Sequence, residues 1–403
     1  MRNRLVLLAS MGLLALGSRA SADGFFNVTS VGSGGTTVAD GGPNIIHLTD
    51  NVINEQGPYA PLFGQNVTTA LTWGGVPDAI ILTENAAQTQ ATITFPSTGF
   101  TRTFTASGGS SLQSQIHKFI EQNGEQAYAQ FLQKMDQFSA VAPLDGNPQA
   151  STAVIADGVF TRFGIHNQQP TVSRSDSGAT YLGLTADGGA SRADSLDGSW
   201  ADVNFDTGLR FGSHAALSLG TTLAFTNISG SEAYTVAEEI AVPVTIFNNR
   251  GNGLSWQVTP WGFAGLSASY DQAAGGLLVG GGGTSSFALH WDGLTVTLGD
   301  QVSYTSNVDV SVDDYQFDTD IDQWIIKNGL EASYQFPRSP FFVEGGVTYS
   351  NFLHHAAVPD YWTPAVGVGL AFGGHSSLRV DYRGDYAKGY NSTGGEVSLV
   401  IAY

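Results

Sequence analysis

The sequence predicts a mainly β protein, in which residues 178–403 form an antiparallel transmembrane β-barrel of about 12 strands behind a small α+β N-terminal domain. From residue 178 onward, segments of roughly ten residues alternate apolar and polar side chains and are separated by turn residues. After residues 1–22, no apolar run of about 18 residues is present, which excludes a membrane-spanning helix. A closed barrel is the other structure that pairs every backbone polar group inside a bilayer.

The chain begins with the features of a secretory signal. Arg2 and Arg4 supply positive charge, Leu5 to Leu16 form an apolar core, and Ala20 to Ala22 offer a cleavage site of small residues. We therefore expect residues 1–22 to be a cleaved signal peptide and the mature protein to lie in the cell outer membrane.

The composition excludes several function classes. Lys and Arg number 16 against 35 Asp and Glu, a net charge of −19 that becomes 13 − 35 = −22 without the three arginines of the signal. Nucleic-acid binding requires clusters of Lys and Arg, so nucleic acid is not an expected partner. The chain contains no cysteine, which excludes a disulfide scaffold and any Cys-ligated metal site.

Residues 23–148 are predicted to form the small α+β domain, although the periodicity of its first fifty residues is too weak to assign strands there. Ala91–Phe95 and Phe100–Phe104 alternate on either side of a turn and predict a hairpin. Between Leu112 and Phe138, apolar residues recur at three- and four-residue spacing. They predict two short helices, or one helix kinked at Gly124, whose apolar stripe packs on the hairpin.

Residues 149–177 are predicted to be a linker or a lumenal segment. Within it, Ala153 to Ile165 fits either an extra strand or a lumenal connector. A helix inside a wet, polar lumen should be polar all round, so the apolar helices at 112–138 are expected outside the barrel, in a folded periplasmic or exported domain.

The alternation is clearest near the end of the chain, over residues 378–386. One face of this strand carries the apolar and aromatic side chains Leu378, Val380, Tyr382 and Tyr386. The residues predicted to line the lumen are Arg379, Asp381, Arg383, Asp385 and, on another strand, Glu344. In a wet lumen their ion pairs would contribute little to stability. Two residues, Pro260 and Asp300, interrupt faces that are otherwise apolar.

The connections between strands are predicted to be short on one rim and long on the other, as periplasmic turns and extracellular loops are in outer-membrane barrels. Short turns are expected near residues 212–214, 249–252, 292–293, 337–340 and 373–375. Long loops are expected near 187–198, 227–237, 271–284, 307–319, 354–362 and 388–394. Gly280 to Gly283 are interpreted as part of a flexible hairpin.

Aromatic residues cluster near the predicted strand ends, where they would form interfacial girdles, although core packing is a competing interpretation. These residues are Trp256, Trp261, Tyr270, Tyr304, Trp324, Tyr334, Tyr349, Trp362, Tyr382 and Tyr403.

The last nine residues place Val397, Leu399, Ile401 and the terminal Tyr403 on one face. This ending is similar to the C-terminal insertion signal of bacterial outer-membrane proteins, whose commonest last residue is Phe. The C-terminal region as a whole resembles the autotransporter β-domain. The resemblance implies a barrel that contacts outer-membrane lipid and the barrel-assembly machinery, and that delivers its own N-terminal segment across the membrane. The alternatives are a porin-like channel or a surface adhesin with a periplasmic N-terminal module.

Other candidate chemistry is weak, and neither an enzyme activity nor a cofactor is expected. The acidic residues between Asp309 and Asp322 suit calcium, but Gln323 stands where a calcium loop requires Gly, so a solvated loop is favoured. His354, His355 and Asp360 suggest a metal site or a hydrolase dyad. Adjacent residues of a strand point to opposite faces, which separates the two imidazoles unless a loop bends them together.

Overall fold

The computed structural model describes residues 24–54, 57–107, 110–121, 127–166, 181–193, 195–211, 214–249, 253–308, 310–312, 315–317, 321–354, 356–372 and 376–402. The predicted signal peptide, His355, Tyr403 and most of the acidic segment from Asp309 to Asp320 lie outside these residues. No helix among the described residues is long and apolar enough to cross a bilayer.

A six-stranded antiparallel sheet forms the N-terminal part, with strand order β2-β1-β3-β4-β5-β6. Its strands are β1 Phe26–Gly32, β2 Thr37–Gly42, β3 Val67–Trp73, β4 Val76–Glu84, β5 Gln90–Phe95 and β6 Phe100–Thr105. The predicted hairpin is confirmed as β5 and β6. Strands β1 to β3 come from the region whose weak periodicity allowed no strand assignment, and β4 follows that region. Alternating buried and exposed residues show that one face of the sheet is covered.

Three helices cover that face: α1 Ile45–Ile53, α2 Leu112–Glu121 and α3 Ala127–Phe138. Asn44 caps α1 by accepting a 3.0 Å hydrogen bond from the backbone N–H of His47. The predicted packing of the second and third helices on the hairpin is confirmed by ring contacts, since Phe119 stacks on Phe100 at 5.7 Å and Phe131 stacks on Phe95 at 4.7 Å. We call the sheet and these three helices the N-terminal module.

Twelve antiparallel strands form the barrel, so the predicted number is confirmed. Each strand pairs with the next, and the last pairs with the first, which closes the wall. They are β7 Tyr181–Ala193, β8 Leu196–Phe211, β9 Ala215–Ile228, β10 Ser231–Ala241 continued by Val244–Asn249, β11 Leu254–Ser269, β12 Ala274–Trp291, β13 Leu294–Val308, β14 Asp322–Gln335, β15 Phe341–Phe352, β16 Asp360–Phe372, β17 Ser376–Arg383 continued by Tyr386–Ala387, and β18 Tyr390–Ala402.

The predicted alternation holds along the wall, with polar and small residues buried inside and apolar residues exposed outside. Arg379 and Asp381 of β17 face inward, whereas Val380 and Tyr382 are 48% and 57% exposed on the outer surface. The strand predicted over 378–386 is interrupted, because Gly384 and Asp385 separate the two parts of β17.

The rim predicted to carry the long loops differs from the expectation at four of its six connections. The expected long loops at 187–198, 227–237, 271–284 and 388–394 are wrong, because strands continue through them to tight turns such as Ser229-Gly230. Gly280 to Gly283 lie inside β12 rather than in a hairpin, and a Cβ at Gly282 would collide with the carbonyl oxygen of Val302 on β13. Glycine here marks close approach of neighbouring backbones, which a composition-based assignment interprets as a loop.

The N-terminal module sits on the rim that carries these tight turns, which we call the module rim. Asn44 Nδ2 donates a 2.9 Å hydrogen bond to Asp271 Oδ1, and the hydroxyl of Tyr128 donates a 3.0 Å bond to the carbonyl of Gln272. The apolar core of the module continues onto the wall through rim residues that include Leu196 and Ile228. The first residue of β7 and the last residue of β18 lie at the opposite rim.

Candidate functional site: the lumen and its helix

A helix lies inside the barrel. Helix α4, Ser151–Phe160, continues as a π-helical turn over Thr161–Ile165, so the segment predicted to be an extra strand or a lumenal connector is a lumenal helix. At its N-terminus, the hydroxyl of Ser151 lies 2.7 Å from that of Thr235 near the module rim. Further along, Gln301 Nε2 donates a 3.0 Å hydrogen bond to the carbonyl of Ala156.

One side of α4 packs against apolar residues of the inner wall. Ile155 and Val159 join a buried cluster with Trp261 and Phe263 of β11. The expectation that a lumenal helix is polar all round is therefore wrong, because the helix touches the wall and no water layer separates them. Trp261, expected in an interfacial girdle, belongs to this inner cluster and is 7% exposed.

Glycines on facing strands make room for the helix. Gly299 of β13 and Gly329 of β14 are register partners. A Cβ at Gly299 would lie 2.9 Å from the carbonyl carbon of Gly164, and one at Gly329 would lie 2.9 Å from Ile165 Cγ2. Any side chain larger than glycine at these positions therefore presses on the π-helical turn.

Ion pairs join the other side of the helix to the wall. Arg162 pairs with Glu239 of β10, and Asp157 pairs with the fully buried Lys327 of β14. His166 Nε2 lies 2.9 Å from Glu331 Oε2. None of these residues belongs to a site that the sequence predicts. Glu239, Lys327 and Glu331 occupy inward positions of strands in which polar and apolar side chains alternate. A charged residue at an inward position is the signal that could have identified them.

A charged cluster lines the wall beside the helix and contains the predicted lumen residues. Arg379 Nε lies 3.2 Å from Glu344 Oε1 and 2.5 Å from Asp381 Oδ2, and its NH2 pairs with Glu396. All four of these side chains are at most 7% exposed. The expectation that lumenal ion pairs are exposed and weak therefore does not apply to this cluster.

The other predicted lumen residues lie nearby. Arg383 NH2 lies 2.7 Å from Asp187 Oδ2 on β7. Asp385, at the interruption of β17, accepts hydrogen bonds from the hydroxyls of Thr363 at 2.8 Å and Ser392 at 2.6 Å. Between the helix and the wall, cavities of about 30 and about 50 Å³ remain, which is room for a few water molecules each.

The remaining candidates are dispersed. His354 Nδ1 lies 3.6 Å from Asp322 Oδ2, while Asp360 accepts a 3.2 Å hydrogen bond from Tyr349, so the structure does not show the suggested dyad. Over the described residues, no group of three or more His, Asp or Glu side chains is arranged to hold a metal ion.

The outer surface carries the membrane-facing features. Val397 is 47% exposed on the outer face, and Leu399 and Ile401 share its phase along β18. Two aromatic pairs lie at similar positions along neighbouring strands: Tyr304 with Trp324 at 4.9 Å, and Tyr349 with Trp362 at 4.7 Å. The pairs suit an interfacial girdle.

A closed antiparallel wall of twelve strands with an apolar outside and a polar inside defines a transmembrane β-barrel of the outer-membrane class. No protein-family model and no curated protein matches the chain. Among solved structures, it is similar to the translocator domain of autotransporter NalP from Neisseria meningitidis, with 14% identity, a TM-score of 0.43, and coverage of 63% of this chain and 98% of that one.

Two further solved structures show a similar degree of likeness. The β domain of the Bordetella autotransporter BrkA has 10% identity and a TM-score of 0.41, with coverage of 56% of this chain and 100% of that one. An outer membrane channel from Pseudomonas putida F1 has 13% identity and a TM-score of 0.40, with coverage of 57% and 98%.

Proposed function

We propose that this protein is an autotransporter-like translocator whose barrel holds its own N-terminal module at the cell surface. The observation that carries the proposal is the path of the chain: the module sits on one rim, and α4 runs into the lumen from that rim. Ser151 contacts β10 near the module rim, whereas His166 reaches Glu331, which lies near the end of β14 at the opposite rim.

The orientation follows from the even number of strands. Both ends of the wall, Tyr181 and Ala402, meet at one rim. In outer-membrane barrels the short turns are periplasmic and the longer loops extracellular; the connections at this rim are short, and the longer segments 309–321 and 353–359 lie on the module rim. The module would then face the outside of the cell, with the apolar outer wall in contact with lipid and the C-terminal strand presented to the barrel-assembly machinery.

In this proposal the lumenal charges hold the helix and line its path. Arg379, Asp381, Arg383, Asp385 and Glu344 form a polar wall beside α4, and Asp157, Arg162 and His166 attach the helix to other strands. A porin-like channel agrees less well with a lumen that a helix occupies.

The test uses the absence of cysteine in the chain. Phe63→Cys places a thiol on the module, where the native side chain is 72% exposed. Pro340→Cys is the matched variant, at an exposed turn of the opposite rim. A membrane-impermeant maleimide should label Phe63→Cys on intact cells and Pro340→Cys only after the outer membrane is permeabilised. The reverse result would place the module in the periplasm and refute the proposal.

A further inference from the structure

Both residues that break the apolar pattern of the sequence lie on one part of the outer wall, on strands that are separated by one strand. Asp300 of β13 lies between Ser285 of β12 and Asn328 of β14 in the strand register. Pro260 of β11 pairs with Gly283, two residues from Ser285 along β12. We call Ser285, Asp300 and Asn328 the polar row.

The polar row lies within the apolar belt. Its neighbours along the strands, Leu298, Val302 and Leu330, are 47%, 45% and 52% exposed on the outer surface. Four residues toward the module rim, Tyr304 pairs with Trp324, and six residues the other way, Leu294 pairs with Tyr334. Aromatic residues therefore bracket Asp300 on both sides, as they bracket the hydrocarbon region of a barrel.

Hydrocarbon offers no hydrogen-bonding partner to the side chains of the polar row. No side-chain hydrogen bond or ion pair joins the carboxyl of Asp300 to another described residue, and Ser285 already accepts a 3.0 Å hydrogen bond from Trp256 Nε1. Ionisable residues facing lipid are costly and rare, and they ordinarily have a partner. A partner that reaches Asp300 inside the membrane would remove this cost.

We propose that the polar row is the contact between two copies of this chain in the membrane. Two copies inserted in the same direction are related by an axis along the membrane normal, so each residue meets residues at its own depth. An axis between β13 and β14 places the amide of Asn328 in each copy against the carboxyl of Asp300 in the other copy. The row thus contains both the acceptor and the donor that it needs, and neighbouring Gly283 has no side chain to keep the copies apart.

Oxidative cross-linking tests the contact, because the chain has no cysteine of its own. Val302→Cys places a thiol beside Asp300 near the proposed axis, and Phe205→Cys places one on the outer face of β8, across the barrel. In native membranes, Val302→Cys should give a product of twice the chain mass at a yield at least about tenfold above that of Phe205→Cys.

A second substitution identifies the group responsible. In the Val302→Cys background, Asp300→Ala should lower the yield about tenfold, whereas Asp300→Asn, which keeps the hydrogen-bonding capacity, should retain it. The shift of electrophoretic mobility on heating verifies that each variant has folded. Equal yields for Val302→Cys and Phe205→Cys would overturn the proposal. So would a product whose mass shows a different protein at this surface.

Discussion

At the scale of single residues, burial changes what the lumenal charges do. Arg379 is buried and is shared by Glu344, Asp381 and Glu396, whereas Arg192 is exposed and lies 3.6 Å from Asp197. Removing one partner of a buried ion pair leaves an uncompensated charge, but losing an exposed pair changes little.

We therefore expect Arg379→Met to lower the free energy of unfolding by about 3 to 5 kcal/mol, because three buried carboxylates lose their cation. The matched variant Arg192→Met should lower it by at most about 1 kcal/mol. Urea unfolding of the purified protein in detergent, followed by tryptophan fluorescence, measures both values. Equal effects would show that the cluster around Arg379 is hydrated and screened.

The inward position of Arg379 follows from period-two alternation, so the sequence predicts it. Its partners do not follow, since Glu344 lies two strands earlier on β15 and Glu396 lies on the next strand, β18, and both meet Arg379 only through the strand register. The same limit applies to Lys327 and Asp157, where one residue belongs to the wall and the other to the helix. Periodicity specifies a face, whereas ion pairs require the tertiary arrangement.

At the scale of elements, the wall strands can be predicted because each carries a long alternating pattern of apolar and polar side chains. Helix α4 cannot be predicted in this way. Helix α4 is short and contains Gly158, Val154 and Val159, residues of low helix propensity. Its apolar side meets Trp261 and Phe263, and this packing stabilises the helix.

The glycines that face the helix provide the test of this element. Gly299→Leu should displace α4, because even a Cβ there lies 2.9 Å from Gly164, and overpacking costs roughly 1 to 3 kcal/mol. We expect a higher ion conductance in planar bilayers than for the unmodified protein. Gly345→Leu is the control, since a Cβ there has its nearest neighbour at 3.7 Å, and its conductance should not change. Unchanged conductance in both variants would mean that the helix does not limit ion flow.

At the scale of the whole molecule, the module and the barrel meet around two buried carboxyl groups. Asp136 of α3 and Asp145 line a cavity of about 290 Å³, together with Asp322 and His354. Burial raises the pKa of Asp136 well above its ordinary value, and the nearby Asp145 raises it further. Burial also raises the pKa of Asp145, although hydrogen bonds from Thr152 and Gln323 oppose the shift.

A carboxyl group whose pKa is raised by folding contributes its stability at low pH and loses it as pH rises through the folded-state pKa. The junction should therefore resist protease better at about pH 5 than at about pH 8. Asp136→Asn keeps a neutral group at this site at both pH values, so the difference in protease resistance between them should shrink. The rate at which protease releases the module measures the effect. The same pH dependence in Asp136→Asn would assign it to other groups.

The closure between β18 and β7 has a kinetic consequence. Every other pairing in the wall joins strands that follow one another in the chain, whereas closure brings Tyr390 opposite Ala193 and Ala402 opposite Tyr181. Local hairpins form quickly because their loops are short, but closure must gather the ends of the whole wall and is entropically the most expensive pairing. Closure is therefore expected to be the slow step of assembly. Because α4 lies within the ring and the folded module lies at its mouth, a module that crosses after closure has to pass through the lumen as an unfolded chain.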